Sequence, residues 1–130
     1  KKIKDFDIVV PCIRGVNLDS KNIVKVVFDK KGNVLYLSRA SIPFDFHNLN
    51  EKLYKHLSII SFKRRSLIKF SNLKMSKYEK IEGVELLRAI ENNLKVGTFI
   101  SKSNSFAVDI KADLERAHLI LPGDKLRKKY

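Results

Sequence analysis

A single cysteine, Cys12, stands in the 130 residues. No disulfide can close within the chain and no cysteine-built zinc site can form, so a reducing compartment is the simpler setting. No apolar run approaches the roughly 18 residues of a membrane span. The basic N-terminus also carries no apolar segment of the kind a secretory signal needs. The chain is therefore expected to be soluble and cytoplasmic, with no membrane partner. Acidic residues are scarce: 14 Asp and Glu face 27 Lys and Arg, a formal net charge of +13. Such a balance raises nucleic acid or phosphorylated ligands as partners. The distribution argues against nucleic acid, because the bases run from Lys1 to Lys129 and cluster only at Lys1-Lys2-Ile3-Lys4, Lys63-Arg64-Arg65 and Arg127-Lys128-Lys129. Aromatic residues do not interleave with them as a base-stacking surface requires. Repeats and low-complexity segments are absent too.

What is present is a dense apolar patterning suited to one small domain, or to a piece of one. Its centre is Val24 to Pro43. Two runs rich in β-branched and aromatic residues, Val24 to Phe28 and Val34 to Leu37, flank Asp29-Lys30-Lys31-Gly32-Asn33, where Gly32 can supply positive φ. This predicts a β-hairpin. Apolar side chains occur on both of its faces, so both need cover, and the expectation is a protruding arm that packs on another subunit. Asp7 to Cys12 reads as a buried strand, Arg14 to Asn22 as a loop, and Tyr54 to Phe62 as a further strand. Lys63 to Phe70 carries a brief helical pattern. Ser76 to Asn92 is the strongest helix, with Ser76 and Glu79 as a capping box and Ile81, Val84, Leu87 and Ile90 at helical spacing. Strands are expected at Leu94 to Ile100 and Phe106 to Val108, and a second helix at Ile110 to Leu119, closed by Pro122-Gly123. Strands and helices in this order point to the α/β class with a mixed sheet.

Five blocks then line up in order: Asn22 to Val27, Gly32 to Pro43 (GNVLYLSRASIP), Lys55-His56-Leu57, Ser76 to Arg88 (SKYEKIEGVELLR), and Val108-Asp109 followed by Asp113 to Arg116 (DLER). Together they resemble the C-terminal half of 3-deoxy-manno-octulosonate cytidylyltransferase, the CMP-KDO synthetase family of the lipopolysaccharide pathway. The resemblance implies a nucleotidyltransferase (nucleotide-diphospho-sugar transferase) fold and transfer of CMP from CTP to the sugar acid KDO, with Mg2+. It implies a homodimer through the hairpin. It also implies that residues 1–130 are a C-terminal piece, inactive alone, since the family's triphosphate loop and first metal-binding Asp have no counterpart here.

The candidate site residues follow from the same blocks. Asp109 ends an apolar run before a helix and is either the helix N-cap or, as the resemblance implies, a Mg2+ ligand. Ser38 and Arg39 close the hairpin, where the guanidinium suits a carboxylate; the alternative is a solvated edge-strand Arg. His56, beside Lys55, either faces the sugar or is a strand-end His satisfied by backbone. Glu85, three residues after Glu82, could present a carboxylate to sugar hydroxyls, whereas Glu82 is more easily read as a solvated helix residue. Lys25 reads as a hairpin surface residue. Phe46, Ile60 and Leu86 stand where family members carry polar or hydroxyl-bearing side chains, which leaves the identity of the sugar acid open.

Overall fold

The computed structural model describes residues 2–15, 20–49, 51–102, 108 and 110–123. Its hub is β1 (Ile8–Arg14). Ile8 pairs with both Phe62 and Val96, and Cys12 with both His56 and Ile100, so β1 has a full set of neighbours on each edge. Two short antiparallel strands, β4 (Tyr54–His56) and β5 (Ser61–Phe62), share one edge. The parallel strand β6 (Val96–Ile100) takes the other. This central position explains why Ile8, Val9, Val10 and Cys12 are all apolar and buried: neither face of the strand meets water. The single strand expected over Tyr54 to Phe62 is two, because Leu57 to Ile60 leave the ladder to pass from one half of β1 to the other.

The hairpin forms as its sequence predicts, from β2 (Lys25–Phe28) and β3 (Val34–Ser38). Asp29 organises the turn, its carboxylate accepting from the backbone N–H of Lys31 and Asn33 (both 2.8 Å) and from Asn33 Nδ2 (2.6 Å). Gly32 sits at φ +86°, and its carbonyl accepts the Thr98 N–H of β6 at 2.8 Å. The expected protruding arm is corrected here. β2 pairs with β4, and a bridge from Asn33 to Gly97 returns the hairpin to the free edge of β6. Val26, Val34 and Leu37 thereby enter the core of this chain. Much of the cover the hairpin needs comes from within, and Leu35 is the large apolar side chain it leaves exposed.

The helical layer starts with α1 (Arg64–Ser71). Asp7, at the foot of β1, fixes that start: its carboxylate accepts from Ser66 Oγ (2.9 Å) and from the Lys95 N–H (3.0 Å). The backbone bond from Lys95 is the main reason its pKa lies below the usual carboxylate range. The single helix expected over Ser76 to Asn92 is broken into α2 (Lys77–Glu82) and α3 (Leu86–Glu91). The capping box is present, with the Glu79 N–H donating to Ser76 Oγ (3.4 Å) and the Ser76 N–H to Glu79 Oε2 (3.1 Å). The apolar spacing is also present. Gly83, however, adopts a left-handed φ of +60° and ends α2, so the chain turns and Ile81 faces solvent while Val84 and Leu87 enter the core. Glu79 reaches on to Arg88 of α3, which donates through Nε (2.8 Å) and the guanidinium NH2 (2.5 Å), and the two short helices lock together. α4 (Lys111–Ile120) follows the expected helix closely. The strand expected at Phe106 to Val108 falls mostly outside the described residues. No described helix is long and apolar enough to cross a membrane.

Candidate functional site

Where the start of β2, β4 and the start of α4 meet, a cavity of about 320 Å³ opens; its polar lining comes from Ser20, Asn22, Lys55, His56, Ser58, Asp113 and Arg116, and its apolar lining from Ile23, Val24 and Ile110. Each wall has a local cause. Ser20 starts a tight turn, accepting the Asn22 N–H on Oγ (3.2 Å) and the Ile23 N–H on its carbonyl (3.1 Å). β4 is only three residues long, held by the His56 N–H on the Val24 carbonyl (2.9 Å) and the Leu57 N–H on the Pro11 carbonyl (3.0 Å). On the third side Asp113 accepts the Ile110 N–H at 3.2 Å, which sets the first turn of α4.

His56 is the most distinctive group in this cavity. Its Nε2 is buried without a hydrogen-bond partner, the one such side-chain atom among the described residues. Burial pushes the imidazole down to about 4, so the ring is neutral at pH 7. A neutral imidazole can accept a proton or a hydrogen bond at that nitrogen, or present an N–H there if the tautomer changes. The backbone-satisfied alternative does not describe it, since the backbone bond is made by its amide and not its ring. Lys55 lies beside it on the same wall.

Ser38 and Arg39 are placed differently. Ser38 is buried and donates from Oγ to Glu82 Oε1 at 2.7 Å, and the Arg39 N–H donates to Glu82 Oε2 at 2.9 Å. Glu82 is therefore a bonded residue and not the solvated one expected. The Arg39 guanidinium clasps three carbonyls: Glu82 (2.9 Å), Lys21 (2.8 Å) and Gly83 (3.2 Å). It ties the end of α2 to the turn that walls the cavity. Glu85 is exposed at the start of α3, and the break at Gly83 removes the shared helix face assumed for it and Glu82.

Lys25 is the clearest correction. Expected on the surface, it is fully buried (0% exposed), and its Nζ donates to the carbonyls of Ser20 (3.1 Å), Ile23 (2.9 Å) and Arg39 (2.5 Å). The signal for this was present, because Lys25 is framed by Val24 and Val26 in a run apolar on both faces. Arg116 and Asp113 belonged to a quoted block but were assigned no role, and only the packing of α4 brings them to the cavity. Asp109 lies outside the described residues; the cap position of α4 falls on Ile110. No group of three or more His, Cys, Asp or Glu that could hold a metal occurs among the described residues. Phe46 and Ile60 are exposed and Leu86 is buried in the core at 2%, so none of the three lines the cavity.

Residues 5–97 match the model of the cytidylyltransferase family. The chain is similar to 3-deoxy-manno-octulosonate cytidylyltransferase of Thermodesulfovibrio yellowstonii, 44% identical over 106 residues that make up 77% of this chain and 42% of that protein. It is similar to the enzyme of the same name from Leptospira biflexa (38%, covering 82% and 43%) and from Rickettsia typhi (37%, covering 89% and 47%). It thus spans less than half the length of these relatives. A solved structure of CMP:2-keto-3-deoxy-manno-octonic acid synthetase complexed with CTP superposes with a TM-score of 0.84 at 25% identity, over 92% of this chain and 51% of that one. A mixed α/β sheet carrying this cavity, together with a family match over most of its length, makes this chain a member of the cytidylyltransferase family.

Proposed function

We propose that this chain forms the sugar-acid side of an enzyme that transfers CMP from CTP to KDO or a related sugar acid. The observation that carries this reading is the cavity at His56. Its lining carries two cations (Lys55, Arg116) against one carboxylate (Asp113), with hydroxyl and amide groups (Ser20, Ser58, Asn22), a chemistry suited to a polyhydroxylated carboxylate. His56 contributes an imidazole that burial keeps neutral to the wall of the cavity. Arg39 braces the turn that walls the cavity through the Lys21 carbonyl, and Ser38 and Glu82 anchor the backbone of Arg39; Ser38, Arg39 and Glu85 do not line the cavity. The work asked of such a site is positioning and charge neutralisation, with a sugar hydroxyl brought to the α-phosphorus of CTP.

Mg2+ is proposed as the metal, with Asp109, the residue before cavity-lining Ile110 in the sequence, as its carboxylate ligand. The ion takes one or two protein carboxylates and completes its shell with phosphate oxygens and water. When bound it would neutralise phosphate charge. A homodimer contact is assigned to the outward face of the hairpin, where Leu35 is 55% exposed. Pyrophosphate release from CTP, dependent on KDO, is expected of the intact protein and is expected to be lost in His56→Ala; no release with KDO or related sugar acids overturns the reading.

A further inference from the structure

We propose that Lys25 is a positioning residue for the cavity: its ammonium holds the wall formed by Ser20 to Ile23 against the end of β3 and so sets the shape that a ligand meets. The inference rests on the reading above that this cavity takes the sugar acid.

A lysine ammonium has three N–H donors and no acceptor. At Lys25 all three have a carbonyl in reach, those of Ser20, Ile23 and Arg39. Two of these belong to the cavity wall and the third to the residue that follows β3, so one side chain joins the Ser20 to Ile23 segment to Arg39, beyond the hairpin. A second cation acts on the same wall, since Arg39 donates to the Lys21 carbonyl between the two Lys25 contacts. Within the turn, among the described residues, the Asn22 and Ile23 N–H groups donate to Ser20. Removing a charge from water is costly, and a methionine would fill the same space without that cost. A lysine between Val24 and Val26 is therefore informative about what the position must do. The sheet register adds to this. Ser38, Lys25 and Lys55 lie opposite one another across β3, β2 and β4, so the post stands in the same cross-strand row as the cavity's own lysine. The Val24 carbonyl, next in the chain, accepts the His56 N–H, and movement of the wall reaches His56 directly.

The test uses Lys25→Met in the intact protein, with two readouts. The first needs no substrate: the His56 imidazole is titrated by NMR, in surroundings that include Lys55, Asp113 and Arg116 from the cavity and Cys12 from β1 opposite. Expected is a rise from about 4 toward the ordinary 6.5 as the loosened wall admits water. The second is steady-state kinetics with CTP and KDO, where KM for KDO should rise about tenfold with kcat changed less than about threefold. Leu37→Val, a core change that leaves the wall's three carbonyl bonds intact, should move neither. Should Lys25→Met fail to fold, Lys25→Arg keeps the charge but not the three converging bonds, and the same upward shift of His56 is expected. A folded variant with unchanged His56 titration and unchanged KM for KDO overturns the proposal. Wild-type protein that turns over no sugar acid, with His56 still shifted in the variant, overturns the functional reading and leaves the positioning role standing.

Discussion

The two sides of this molecule treat their buried polar groups in opposite ways. In the helical layer every described group of consequence is matched. Glu79 serves its own helix cap and the Arg88 guanidinium, Arg88 also donates to the Leu73 carbonyl and lies over the Phe70 ring, and Asp7 is met by Ser66 and Lys95. On the cavity side Lys25 and Arg39 are matched as fully, by carbonyls, but His56 keeps an unpartnered ring nitrogen. Matched groups serve the fold; an orphaned buried atom is costly to keep and calls for its own explanation.

The contrast can be broken most severely at Glu79. Glu79→Ala leaves Arg88 without its carboxylate and removes half of the α2 cap, and a loss of about 3–5 kcal/mol is expected in urea unfolding. A loss under about 1 kcal/mol would mean that the helical layer does not depend on the pair. Leu37→Ala tests the hairpin as a core element and not an arm: about 2–4 kcal/mol should be lost by the same measurement, whereas a free-standing hairpin would yield almost none. At His56 the prediction concerns pH. Its folded-state value near 4 lies below the ordinary 6.5, so between those limits the unfolded chain binds more protons, and stability is full above pH 6.5 and falls as pH drops toward 4. The expected fall, on the order of 1–3 kcal/mol, should flatten in His56→Gln. An unchanged slope in the variant would assign the acid sensitivity elsewhere. The smallest effect is at Gly83. There a Cβ would meet only ordinary contacts with Arg39, so Gly83→Ala should cost about 1 kcal/mol, the price of a left-handed backbone.

Much of this architecture was legible in the chain. The Asp29-to-Asn33 turn, the Ser76–Glu79 box and the apolar run of β1 each depend on neighbours within a few residues, and all three formed as read. The break at Gly83 was not read, because the apolar spacing of Ile81, Val84, Leu87 and Ile90 continues across it and periodicity alone does not sense a left-handed residue. Glu82 and Glu85 exchanged expectations for the same reason, since the helix face they seemed to share is interrupted between them. The family resemblance was carried by ordered blocks, and of the residues they marked, His56 lines the cavity while Ser38 and Arg39 do not. It did not say that Arg39 would spend its guanidinium on Glu82, Lys21 and Gly83.

By itself the sequence determined the family and most of the elements in their order, though not the splitting of one strand and one helix in two, because caps, turns and apolar patterns are set by residues close in the chain. Tertiary structure alone decided that the hairpin joins the sheet and that Lys25 is buried. It also decided that Ser20, His56 and Arg116 meet around one cavity. Those outcomes depend on which strand edges remain to be paired and which carbonyls converge once the sheet closes, and no local pattern records either.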